Sequence, residues 1–245
     1  MSILSDALIP HGSPNGPPRV PAGGVFGFPY VPVDRGIRPM RSRKFKPTPS
    51  EPAKPLPKLR PNYKKILESI LFLINEAERR GLSVTEYDID ESIFVADVRH
   101  LNEYGRPVTF DNYVAMDHGP VPSATRDILQ PNFKSKPYFT EAWPPWERLP
   151  SPSDGPKAFK FIRPKRKENL RVLSKSDVSV LTDAFLVVKS LRFGGAKDYT
   201  YKHPAYLDAW VEGGARAEYD MDYAKLLESP DEELIEDLIY SSEHM

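Results

Sequence analysis

Residues 61–81 read PNYKKILESILFLINEAERRG, and residues 85–105 read TEYDIDESIFVADVRHLNEYG. In the first stretch Ile66, Ile70, Leu73, Ile74 and Ala77 recur at helical spacing, with Pro61 and Asn62 as a helix entry and Gly81 as its stop. The unbroken apolar run Ile70–Ile74 widens that stripe around the cylinder, which predicts a helix buried on several sides. In the second stretch Ile89, Ile93, Ala96 and Leu101 face inward on a helix from about Thr85 to Tyr104, and Gly105 ends it. Two such helices in succession set a mainly helical domain.

Downstream, residues 106–120 carry Asp111-Asn112 between β-branched and aromatic residues, a pattern for a turn or short hairpin. Gly119-Pro120-Val121-Pro122-Ser123 reads as a corner leading into a short helix, with Ser123 capping Ala124–Leu129. Residues 131–156, holding Trp143-Pro144-Pro145-Trp146, read as an irregular insertion. Lys157–Arg163 alternates as a strand does. Ser174 with Asp177 three residues later marks the start of a helix lined by Leu181, Phe185, Val188 and Leu191, with Gly194-Gly195 as its expected stop. Tyr223–Tyr240 reads as two acidic helices broken at Ser229-Pro230. The expected fold class is α+β: one mainly helical domain with a small antiparallel sheet.

Upstream the composition changes. Fourteen of the 27 prolines fall in residues 1–61, so neither a helix nor a central strand can run through them. Residues 1–60 are therefore expected to be a disordered, Pro-rich basic arm. Within it Val25–Val33 is apolar, and its Phe26, Phe28 and Tyr30 form either a docking peptide or part of a plain spacer. The expected organisation is an arm at 1–60, a domain at 61–215 with an insertion at 131–156, and an acidic helical tail at 216–245.

The 34 Lys/Arg and 34 Asp/Glu cancel over the 245 residues, but not locally. Residues 1–60 hold ten Lys/Arg against Asp6, Asp34 and Glu51, whereas residues 216–245 set ten acids against Arg216 and Lys225. Residues 157–175 hold eight Lys/Arg against Glu168 alone, and such clusters make phosphate contacts. Lys165, Arg166 and Lys167 are the candidates for a nucleic-acid surface; a solvated edge, or one covered by the acidic tail, are the other readings.

Cysteine is absent, which excludes disulfides, Cys-ligated zinc, Fe–S clusters and thiol catalysis. The longest apolar runs are far too short for a membrane span, and the N-terminus has no secretory pattern, so a cytoplasmic protein without membrane contact is expected. Asp97 and His100 share a helix face, but a metal site needs more ligands and no paired-His spacing is present. No phosphate-cradling loop and no Gly-x-Ser-x-Gly elbow occurs. No catalytic residue, metal or cofactor is expected, and the chain is read as a non-enzyme.

Residues 94–129 carry a more specific pattern: Phe94-Val95-Ala96-Asp97, His100-Leu101, Tyr104-Gly105-Arg106-Pro107-Val108 and Tyr113-Val114-Ala115-Met116-Asp117-His118-Gly119-Pro120-Val121-Pro122-Ser123. This block closely resembles the Panacea domain, the SocA-like antitoxin family. The likeness extends to Leu173-Ser174-Lys175-Ser176-Asp177 and to Thr200-x-x-His203 followed by Ala209-Trp210, over about residues 62–215. It implies a bacterial or phage antitoxin that neutralises a cognate toxin by direct binding, with a protease or chaperone as a further partner in adaptor-type members. A nucleic-acid-binding regulator using residues 157–175 is the alternative. Asp97, His100, Tyr104, Gly105, Tyr113, His118, Gly119, Pro120, His203 and Trp210 are then either a scaffold or a recognition pocket. Partner choice falls to exposed aromatics: Phe26, Phe28, Tyr30, Trp143 and Trp146.

Overall fold

The computed structural model describes residues 55–130, 133, 143–149 and 161–245. Most of the expected arm, with Phe26, Phe28 and Tyr30, and much of the expected insertion lie outside these residues. The described chain is mainly helical with a small antiparallel sheet, as the sequence predicts.

Helix α1 spans Tyr63–Arg79 and is the centre of the core: every residue from Ile66 to Ala77 is buried. Its start is fixed by the Asn62 side chain, which accepts from the Lys65 amide, and Gly81 ends it at positive φ. Helix α2, Glu86–Tyr104, begins with a reciprocal cap between Thr85 and Asp88 and ends at Gly105 in the left-handed region. It packs most extensively along α4, Lys175–Thr200, which opens on the expected Ser174–Asp177 cap.

The helix α4 does not stop at Gly194-Gly195. It runs on because Ala196 and Thr200 are buried in its last turns, and that burial offsets the cost of two glycines, about 1 kcal/mol each. The next proline, Pro204, instead opens the short helix α5, Pro204–Ala209.

The hairpin is displaced from where the sequence places it. Strands β1, Tyr113–Met116, and β2, Gly119–Pro122, pair antiparallel around a tip at Asp117-His118 rather than at Asp111-Asn112. Gly119–Pro122 is thus a strand and not a corner. Its two prolines are tolerated because β2 is the edge of a three-stranded sheet in the order β2-β1-β5. The third strand, β5, is Tyr219–Asp220, so part of the acidic tail completes the sheet. Helix α3, Ser123–Leu129, follows β2 directly.

A second sheet pairs β3, Trp146–Leu149, with β4, Phe161–Pro164, and β4 rests on α1. This pairing corrects the reading of Trp146 as an exposed anchor: it is 1% exposed and belongs to the core. After a 3-10 turn at Tyr223–Leu226, helix α6, Glu232–Glu243, is capped by Asp231 and buries Ile235 and Leu238. The domain also begins before Pro61. Leu59 is buried and exchanges both backbone hydrogen bonds with the Asn112 side chain, at 2.9 and 2.8 Å. Arg60 N donates to Ser242 Oγ at 2.9 Å, which joins the two ends of the folded unit.

Candidate functional site

Three buried carboxylates organise the motif segment. Asp97, on α2, accepts from Val108 N at 2.9 Å, Thr109 N at 3.0 Å and Tyr113 Oη at 2.7 Å, and also from Thr109 Oγ1. It therefore fastens the loop after α2 to the helix. Burial pushes its pKa up to about 6, against the pull of these donors. In the same loop Phe110 is held at φ +58°, a conformation unfavourable for an aromatic residue.

Asp111 caps α3 from outside. It accepts from Ala124 N, Thr125 N and Thr125 Oγ1, each at 2.8 Å. This replaces the expected Ser123 cap, since the α3 N-terminus has no side-chain cap of its own. Burial, despite those donors, raises Asp111 to about 7, and the nearby Asp97 charge adds to the rise.

Asp177 is the third. Its Oδ2 takes Lys65 Nζ at 2.7 Å and Ser174 N at 2.8 Å, while Arg106 Nη2 and His100 Nε2 approach Oδ1 at 3.1 and 3.2 Å. Burial alone would raise this carboxyl; the hydrogen bond from Lys65, its charge and that of Arg106 hold it below the usual range instead. His100 is completely buried, and its Nδ1 lies 2.7 Å from Arg106 O, so that nitrogen donates and Nε2 accepts from Ser176 Oγ at 3.0 Å. Burial, reinforced by the Arg106 and Lys65 charges, lowers its pKa and keeps the ring neutral.

The four polar residues that could have formed one pocket are thus distributed. Asp97 and His100 both bind the loop after α2, and His100 also reaches Ser176 at the start of α4. His118 sits exposed at the hairpin tip, and His203 caps α5 and meets the Phe94 ring edge-on at 5.3 Å. Tyr104 is 53% exposed and lies over the His100 ring rather than in the core. Gly105 and Gly119 take the positive φ angles that favour glycine. A Cβ on Gly119 would also come within 2.8 Å of Glu91 Oε1.

That contact marks a recess which the sequence reading missed. The start of α2, the hairpin and Trp210 enclose about 520 Å³, with Tyr87, Asp90, Glu91, Arg126 and Pro120 among the walls. Tyr206 Oη holds the hairpin by donating to Met116 O at 2.9 Å, and Tyr201 Oη donates to Asp117 O. Trp210 stacks on Tyr206 and meets Tyr219 edge-on, while its indole donates to Glu212 at 3.1 Å. Burial raises Glu91 to about 8 although the Tyr87 and Thr200 side chains hydrogen-bond to it. Burial, then the charges of Glu86, Glu91 and Asp111, raise Asp90 well above the carboxylate range against the opposing Arg126. The available sequence signal was a carboxylate pair set between inward-facing Ile89 and Ile93.

The remaining candidates are placed as follows. Trp143 is half-buried against Phe133 and Trp146. Arg166 is bound by both nitrogens to Glu68, at 3.1 and 2.9 Å, so its charge is committed inside the fold; Lys165 and Lys167 are exposed. Among the described residues no group of three or more His, Asp or Glu is placed to hold a metal, and no helix is long and apolar enough to cross a membrane.

Comparison with known families matches residues 92–206 to the antitoxin SocA-like, Panacea domain. The match bears out the resemblance carried by residues 94–129 and supports an antitoxin-type function in general terms. It runs from α2 into α5, includes Asp97, Asp111 and Asp177, and begins just after Asp90 and Glu91. No curated protein and no solved structure shows significant similarity.

Proposed function

We propose, on the premise of a SocA-like Panacea domain at residues 92–206, that this protein is a cytoplasmic antitoxin that neutralises a cognate toxin by direct, stoichiometric binding and catalyses no reaction. The observation that carries the reading is the family match. The internal bonding of the motif is consistent with it. Asp97, His100 and Asp177 hold loops and helix starts in place, which builds a frame and leaves partner choice to outward-facing residues.

The test is coexpression with the product of the adjacent gene, followed by copurification. Restored growth together with a one-to-one complex is the expected result. A toxin that remains lethal, or growth restored without a complex, overturns binding as the mechanism.

A further inference from the structure

We propose that the recess between α2 and the β1–β2 hairpin receives a cationic side chain, a guanidinium or ammonium group, presented by a protein partner. Three observations carry this. First, the floor of the recess holds carboxylate oxygens that nothing in the described protein satisfies. Glu91 is 1% exposed, and its Oε2 has no hydrogen-bond partner; the Oδ1 of its half-buried neighbour Asp90 is equally shielded and equally unpartnered. Leaving such an acceptor unmet costs about 1–3 kcal/mol, and two adjacent ones select for a donor with positive charge.

Second, the cations already present are engaged elsewhere. Arg148 pairs with Glu86 at 2.5 Å, and Arg126 Nη1 lies 3.4 Å from Glu218 and 3.0 Å from Met116 Sδ. Asp90 and Glu91 therefore remain without a bonded cation, and the exposed Asp117 at the rim adds a negative group. Third, Tyr87 and Trp210 stand in the walls, and aromatic faces attract guanidinium and ammonium groups.

The recess has a proton-linked character. With Glu91 titrating near 8, its carboxyl is largely protonated at neutral pH, and an arriving cation displaces that proton. The groups around the pair are Glu86, Tyr87 and Thr200, with Tyr201, Asp111, Arg126, Asp117 and His118 from the facing elements. Affinity for a cation therefore rises with pH through about 8, by at most about tenfold per unit for each proton released.

The identity of the partner rests on the antitoxin reading; the chemistry of the recess does not. The probes are N-acetyl-arginine amide and its neutral isostere N-acetyl-citrulline amide, titrated into the full-length protein while the Trp210 indole and Gly119 amide resonances are followed. The expected result is weak binding of the arginine probe, at least about tenfold tighter than citrulline, weakened by a similar factor in Glu91→Gln and in Asp90→Asn. Equal response to the two probes, or none up to roughly 20 mM, overturns the proposal without depending on any variant. In the coexpression assay Glu91→Gln, shown folded by its amide spectrum, is expected to lose protection that the wild type gives. Full protection by the variant refutes use of the recess by the toxin. Failure of the wild type to protect removes the toxin as partner, while the two probes still decide the recess.

Discussion

Replacing Asp97 with asparagine keeps the side-chain shape and removes the charge. The Val108 and Thr109 amides keep a carbonyl acceptor, but the new NH₂ group faces the Thr109 and Tyr113 hydroxyls, which both donate to Oδ2 in the wild type. At acidic pH the protonated wild-type carboxyl still accepts one of these hydroxyl protons, whereas the NH₂ group accepts neither and can only donate, so the variant leaves one further hydroxyl donor without an acceptor. One buried orphan donor costs about 1–3 kcal/mol, which is the expected destabilisation at acidic pH. The pH dependence is more diagnostic. Asp97 titrates near 6 when folded and about 3.9 when unfolded, so the folded state binds the proton more tightly. Its contribution to stability is complete below the unfolded value and is lost as pH rises through 6. Asparagine has no such loss, so the penalty of Asp97→Asn should shrink by roughly 2 kcal/mol between pH 4 and 7, because at pH 4 the unfolded carboxyl is already half ionised. Urea denaturation of both proteins, followed by far-UV circular dichroism across this range, measures the difference directly. A penalty that grows with pH would refute the reasoning, because it would mean that the four donors outweigh burial and favour the ionised form.

Gly119→Ala should lower stability by about 1–3 kcal/mol in the same assay, since φ is +117° and the new Cβ would press on Glu91. Gly194→Ala should act in the opposite direction, raising stability by about 0.5–1 kcal/mol, because the added methyl meets nothing within 4 Å and the site is inside α4. Trp146→Ala should cost about 3–5 kcal/mol in a thermal or urea melt, as expected for an emptied core site rather than a surface contact.

Helices α1 and α2 were legible because their apolar spacing, caps and glycine stops all lie within a few neighbouring residues and agree. The hairpin was legible only as a region. Asp-Asn is a strong local turn pattern, but Asp111 is required as the cap for helix amides thirteen and fourteen residues on, and no local rule reveals that demand. The same limit explains α4, where a glycine pair reads as a stop until the burial of Ala196 and Thr200 is known. Gly-Pro-Val-Pro reads as a corner because a strand with two prolines is acceptable only at an edge, and edge position is a property of the assembled sheet. Of the motif residues, the sequence supplied the identities but left scaffold and pocket open. In the fold Asp97 is bonded to Val108 and Thr109, and His100 to Arg106 and Ser176. Asp90 and Glu91 escaped notice because charged positions on a helix are usually solvated, and their neighbours Thr200 and Gly119 come from distant parts of the chain.

Arg60 N and Ser242 Oγ meet, Arg60 Nη1 reaches Glu243 O at 3.3 Å, and Lys58 pairs with Asp220 at 3.1 Å. A folded unit whose first and last segments sit side by side has the geometry of a cassette. It can be spliced into a surface loop of a host protein without forcing the host's chain apart. For an interaction domain this means that new covalent neighbours can be acquired at one corner while the recess behind the hairpin, built from α2, β2 and Trp210, stays as it is.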